Sequence, residues 1–332
     1  MEPLTPDFRF DAELLENRIN SLRREFDEME FDRDLFRDKL VEKGFEIRKL
    51  ALIKPPDSVE LLAVDSSIVK AELRFFALWA LHCVVLRACF DGRKHRDSLV
   101  GGEIWYRNLM YNSFIDAGQI KPYRLVEEKT NNIRILKEYE SIRGTFRELR
   151  SGGCDVDYLL VDGSLYTNHG KLSRYGGGKA PEEYRELIGE GRVVGMAEDS
   201  HAGDLADKVG LDCTNLMLLD LILDEKEYVV HEREDINICY LKLPSKKLSY
   251  TLEEKSPSLT VRWEFPYREF REDLGTLAYM WSQEDDLLHP QVYPIRVADY
   301  LTRRVKMQGL LERLIEENNL MLRYRDLRES GL

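Results

Sequence analysis

Apolar residues follow two rhythms along this chain. From Asp11 to about Lys43, Leu15, Ile19, Leu22, Phe26 and Met29 recur at steps of four and three, with Glu, Asp and Arg between them. That stripe predicts an amphipathic helix, because positions three and four apart share one helical face. The plain reading is a helix packed on its own domain, and the sharper one is a helix that meets a partner or a second copy. Pro55-Pro56 breaks the pattern, after which Val59 to Val64 reads as a buried strand delivering Asp65. Leu73 to Phe90 is rich in Val, Phe and Trp and too apolar for a surface helix, which predicts two strands.

Helical spacing returns at Ile133 to Leu149, where Ile135, Tyr139, Ile142, Phe146 and Leu149 share a face, and "RSGGCD" ends it. A second apolar run, Tyr158 to Val161, then delivers Asp162 in "DYLLVDGSL". "RYGGGKAPEEY" predicts a glycine loop and a Pro-initiated helix, and "GRVVGMAED" a third short strand ending in acids. "HAGDLADKVG" begins another helix, "INICYLKL" and "LTVRWEFP" read as antiparallel strands, and helix runs from about Pro294 to Arg325. The expected organisation is an N-terminal helical arm at 1–50, an α/β domain at 51–325 and a tail at 326–332.

Asp after a strand is ordinarily a turn residue, and Asp-Gly-Ser is an ordinary turn. Two such endings on neighbouring strands are different, because two fixed carboxylates need a cation to offset their repulsion. Hard oxygen ligands without Cys or an HxxxH pair favour Mg²⁺ or Mn²⁺ over zinc. In phosphoryl chemistry, two such ions about 3.5–4 Å apart stabilise the attacking and leaving oxygens together.

Composition narrows the choice. The 332 residues, 43% apolar and 33% charged, suffice for a substantial core. The Leu73 to Phe90 tract is interrupted by Arg74, His82 and Arg87, which argues against a bilayer span. No secretory leader is expected, and five cysteines without a CxxC pair suggest neither a disulfide framework nor a zinc ribbon, so a cytoplasmic protein is expected. A net charge of -12 repels nucleic acid at long range, so DNA contact falls to basic clusters such as "GRKHR" and "TRRVK". No GxxxxGK[ST] occurs, so the chain is not expected to be an ATP-driven motor.

"LLAVDSS", "YLLVDGSL", "GRVVGMAEDSHAGDLAD" and "VYPIRVADYLTRR", in that order across about Glu60 to Met307, resemble the NurA nucleases. The resemblance implies an RNase H-like mixed sheet flanked by helices, with N- and C-terminal helical extensions. It also implies a metal-dependent nuclease with Mn²⁺ or Mg²⁺, two ions in all, acting on DNA ends as a dimer docked on a hexameric HerA-type ATPase. By position, Asp65 and Asp162 match the strand-end ligands, and Asp299 falls where the family carries His or Asp. A ligand Glu on the preceding helix is either Glu138, nearer the apolar face, or Glu140, four residues before the small Gly144; the resemblance leans to Glu140. Glu198 stands where the family often has Lys, which puts a phosphate contact in doubt, and Lys171 or Lys179 is a substitute source of charge. Ser66, Ser67 and Ser164 read as turn caps first and as orienting groups second. Two other readings stay open: a catalytically inactive subunit that keeps the partner surface, and an unrelated metal-dependent phosphatase.

Overall fold

A computed structural model describes residues 32–72, 76–97, 99–100, 103–116, 124–175, 180–197, 201–233, 235–244, 258–284 and 291–318. The stripe from Leu15 to Met29, Lys179, Glu198 and the 326–332 tail lie outside these described residues.

Helix α1 (Arg33–Glu42) leads into β1 (Ile47–Lys49), and then come β2 (Val59–Glu72), β3 (Phe76–Phe90), β4 (His95–Asp97), β5 (Leu99–Val100), β6 (Glu103–Ile104) and β7 (Tyr106–Asp116). Helix α2 (Arg124–Ser151) crosses to β8 (Tyr158–Asp162), and α3 (Leu165–Tyr175) with α4 (Ala180–Gly189) crosses to β9 (Val193–Ala197). Helices α5 (Asp204–Val209) and α6 (Asn215–Ile222) precede β10 (Glu227–Arg233), β11 (Ile236–Leu243) and β12 (Leu259–Phe265). Then follow α7 (Arg271–Ser282), α8 (Tyr293–Arg304) and α9 (Met307–Glu317).

One sheet runs β1-β10-β11-β12-β9-β8-β2-β3-β4, with β7 also on β3, and β5-β6 form a separate pair. At its centre β3 is antiparallel to β2 and β7, while β8 lies parallel to both β2 and β9. This is the RNase H-like mixed sheet that the resemblance implied. The expected antiparallel pairing of "INICYLKL" with "LTVRWEFP" is the β11–β12 ladder, Asn237 opposite Phe265.

Both faces of the central strands are covered, which is why they read as unbroken apolar runs rather than alternating ones. Leu62, Val64, Leu159, Val161 and Val193 pack under α2, α3 and α4 through Ile135, Tyr139, Ile142, Leu172 and Leu187. Leu61, Ala63, Leu160, Val194 and Met196 face α7 and α8 through Leu274, Leu277, Trp281 and Ile295. Leu160 is fully buried, so truncating it to Ala would cost about 3 kcal/mol.

Three expected boundaries differ. Strand β2 does not stop at Asp65 but runs to Glu72, because β3 pairs with it along the whole length, from Val59↔Phe90 to Glu72↔Ala77. Its other neighbour, β8, pairs only from Leu61 to Val64. Asp65 therefore sits where the sheet narrows, although its own strand continues. The described part of Leu73 to Phe90 is one strand, β3, of 15 residues rather than two. Helix α2 begins at Arg124, nine residues before the periodic stretch, and ends where Gly153 takes φ +77°, a left-handed stop.

Candidate active site

The parallel register Val64↔Val161 puts Asp65 and Asp162 one residue further along adjacent strands, which lie about 4.8 Å apart. The turn after Asp162 is built for close approach. Gly163 adopts φ +94°, and its N–H donates to the Met196 carbonyl at 3.0 Å. A Cβ on Gly195 would fall 2.9 Å from the Gly163 carbonyl oxygen, so both glycines are needed. Ser164 caps α3 by accepting from the Thr167 N–H at 3.0 Å, and Glu264 accepts the Tyr166 N–H at 2.8 Å. The turn-cap reading thus describes Ser164, whereas Ser66 does something else.

Ser66 points to α2 and donates to Glu138 Oε1 at 2.5 Å. Arg134, one turn earlier on that helix, donates to the same oxygen at 2.5 Å. Glu138 is fully buried and its second oxygen, Oε2, has no hydrogen-bond partner. Burial pushes its carboxyl up to about 7 against the pull of Arg134, and the charge of Asp65 adds to the rise. Asp65, also buried, accepts from Thr302 Oγ1 at 2.6 Å. Desolvation holds its carboxyl above the usual range despite that bond, and Asp299 adds repulsion. Asp162 accepts from Gln291 Nε2 at 2.5 Å. Asp299, partly exposed, pairs with Arg303 at 2.7 Å.

Glu140 sits apart from this cluster. It pairs with Lys137 at 2.5 Å, and its charge raises the carboxyl of Glu183 on α4, after burial the next largest cause. Of the two helix acids, the geometry brings Glu138 to Asp65. Gly144, which favoured Glu140, has open space where a Cβ would be.

Among the described residues no three His, Cys, Asp or Glu side chains converge closely enough to hold an ion as they stand. Arg134 supplies the compensating charge instead: Glu138, Asp65 and Asp162 all act on it and keep its guanidinium above its ordinary value, against desolvation. The donor chemistry nonetheless fits a hard divalent ion, since every candidate is a carboxylate and the buried Glu138 Oε2 lacks a partner. Three supporting residues were not anticipated. Arg134 was visible as an i,i+4 partner of Glu138, and Thr302 as the residue three beyond Asp299; nothing local marks Gln291.

Carboxylates on adjacent parallel strands, with a buried Glu on the helix that joins them, define an RNase H-like α/β protein with an all-oxygen acidic site. A family model, the NurA domain, matches residues 59–304, well over half the chain, and the chain belongs to that family. The crystal structure of the NurA nuclease from Sulfolobus solfataricus is similar at 14% identity and TM-score 0.55, covering 93% of this chain and 98% of that one. A crystal structure of NurA bound to dAMP and manganese is similar at 10% identity and TM-score 0.56, with 92% and 98% covered. At these identities the likeness is one of fold. No curated protein matches the chain in sequence.

Proposed function

We propose that the chain is a divalent-metal-dependent deoxyribonuclease that hydrolyses phosphodiester bonds. The observation that carries this reading is the approach of the buried Glu138, with its Oε2 unpartnered, to Asp65, which lies beside Asp162 on the neighbouring strand, inside a NurA domain. Family membership supports the nuclease class, and a family structure contains both manganese and dAMP.

In this reading Asp65, Asp162, Asp299 and Glu138 hold Mn²⁺ or Mg²⁺, as a pair of ions, with Glu140 as the competing helix ligand. A bound divalent ion supplies Lewis acidity, which makes water more acidic and offsets charge on the phosphodiester. The chain's own groups then have distinct tasks. Thr302 fixes the Asp65 carboxyl, Ser66 fixes Glu138, and Gln291 fixes Asp162. Arg134 balances the acids and is placed to offset charge on a phosphate that enters among them.

The finer features rest on the family alone: 5′-3′ exonuclease action with endonuclease action on single strands, a homodimer, a hexameric HerA-type ATPase partner, DNA end resection for double-strand-break repair, and a cytoplasmic location. Among the described residues no helix is long and apolar enough to cross a membrane. A second reading, an inactive subunit that binds the ATPase, is motivated by Arg134, whose charge offsets part of that of the acids. The test compares wild type with Asp65→Ala on end-labelled duplex and single-stranded DNA in Mn²⁺, Mg²⁺ or EDTA, with and without the ATPase. Metal-dependent cleavage lost in the variant is the expected result. Wild type that binds the ATPase and cleaves under no condition would establish the inactive subunit.

A further inference from the structure

Beyond the acids, β2 overhangs its parallel neighbour and forms one wall of a cleft of about 650 Å³. Ile68 and Lys70 line that wall, the first turns of α2 supply Thr130, Asn131 and Asn132, and the end of α3 supplies Lys171 and Arg174. At 3.3 Å per strand residue, Ile68 and Lys70 lie about 10 and 17 Å along β2 from Asp65. The three elements around the cleft are those that carry Asp65, Glu138 and, immediately before α3, Asp162. The cleft is therefore walled by the same three elements that carry the acids, further along each of them.

Its chemistry suits a polyanion. Lys171 and Arg174 are exposed and make no ion pair or hydrogen bond with the described residues. Three cations, Lys70, Lys171 and Arg174, outnumber the two acids of the lining, Glu127 and Glu128, in a chain whose net charge is -12. Asn132 provides an independent observation: it is only 6% exposed, yet its Nδ2 donor has no partner. A buried amide N–H₂ left without an acceptor is unfavourable, and an entering phosphate oxygen would supply the missing partner.

We propose that this cleft is a positioning subsite for the DNA strand beside the scissile bond, in which Lys171 and Arg174 hold backbone phosphates and Asn132 Nδ2 donates to a phosphate oxygen. The inference takes its substrate class from the nuclease reading. Contacts of this kind set register on the strand without reading bases. A free mononucleotide offers the same phosphate chemistry, so the experiment separates the two.

Full-length Asp65→Asn, with and without Lys171→Ala/Arg174→Ala, is titrated with a fluorescent oligothymidylate across salt concentrations. Loss of two phosphate contacts lowers the slope of log affinity against log salt by about 1.4 for a single strand, so from 50 to 200 mM the parent weakens about sevenfold more than the double variant. Asn132→Asp, nearly isosteric and repulsive to phosphate, weakens binding as well. In the otherwise wild-type enzyme with Mn²⁺, the double variant raises KM and leaves kcat within about twofold. An unchanged salt slope in the double variant overturns the proposal, as does a deoxynucleoside monophosphate that competes as well as the oligomer. If wild type fails to cleave but the slope falls, the nuclease reading fails while the subsite stands. If wild type cleaves and the slope is unchanged, the subsite fails while the nuclease reading stands.

Discussion

Two buried glutamates, each held by an arginine, have opposite electrostatics. Glu227 on β10 accepts from Arg37 Nη1 at 2.8 Å, from Lys49 at 2.9 Å and from the Asp224 N–H at 2.9 Å. Burial would raise its carboxyl, but these partners outweigh it and draw it down to about 2. Glu138 on α2 has Arg134 and Ser66 on one oxygen and none on the other, with Asp65 nearby, and burial carries it up to about 7. Proximity to an arginine is shared; saturation of the oxygens is not. Glu227 fills its acceptor sites from the protein, whereas Glu138 leaves one of its two oxygens without a partner.

The largest expected effect tests that distinction on activity. Glu138→Gln and Asp65→Ala each lower metal-dependent cleavage by about a thousandfold, as loss of a principal charge-stabilising group does. Glu227→Gln leaves cleavage unchanged in end-labelled DNA assays. It lowers unfolding free energy by about 2 kcal/mol in urea titrations, because Arg37 and Lys49 lose their counter-charge where solvent only partly compensates. Equal activity losses from Glu138→Gln and Glu227→Gln would erase the comparison.

The pH dependence of stability separates the two groups next. For Glu227 the folded value of about 2 lies below the ordinary 4.5, so its stabilisation is full above about pH 4.5 and is lost as pH falls toward 2. For Glu138 the folded value of about 7 lies above the ordinary 4.5. Its contribution is present below about pH 4.5 and is lost as pH rises through 7. Thermal melts in EDTA should therefore show a neutral-side decline that Glu138→Gln removes and an acid-side decline that Glu227→Gln weakens. Mn²⁺ at one hundred times its Kd should restore about 2.7 kcal/mol above pH 7 in wild type but not in Asp65→Ala.

How much of this the sequence disclosed depended on whether local pattern or tertiary contact decided the feature. Asp162 was readable because the strand, the Gly163 turn and the α3 cap are adjacent in the chain. The helix face was readable too: Ile135, Tyr139 and Ile142 are buried and place Glu138 among them, although Gly144 drew attention to Glu140. The continuation of β2 beyond Asp65 was not readable. Ser66 and Ser67 read as turn caps, and pairing with β3, across the hairpin, keeps them extended. Gln291 reaches Asp162 over a separation of 129 residues, which no local spacing records.

A supporting contact should cost less than a carboxylate. Thr302→Val keeps the shape of the side chain while removing the hydroxyl that donates to Asp65. The expected loss is about 1 kcal/mol of unfolding free energy and about tenfold in kcat, of the size found when a group that orients a metal ligand is removed. Thr302→Ser, which retains the donor, should recover most of the rate. Equal defects in Val and Ser variants would mean that the methyl packing of α8 on β2, not the hydrogen bond, is what matters.

The smallest effect separates the two helix acids. Glu140 is about one-third exposed and paired with Lys137 three residues earlier, an arrangement worth about 0.3 kcal/mol on a helix surface. Glu140→Ala should therefore change kcat/KM by less than about twofold and leave the Mn²⁺ concentration needed for half-maximal cleavage unaltered. The contrast with Glu138→Gln is informative because the residues lie two apart on one helix, where side chains do not share a face. A large loss in Glu140→Ala, with a shifted Mn²⁺ requirement, would mean that α2 turns when the ion binds. The open Oε2 of Glu138 would then belong to the metal-free arrangement alone.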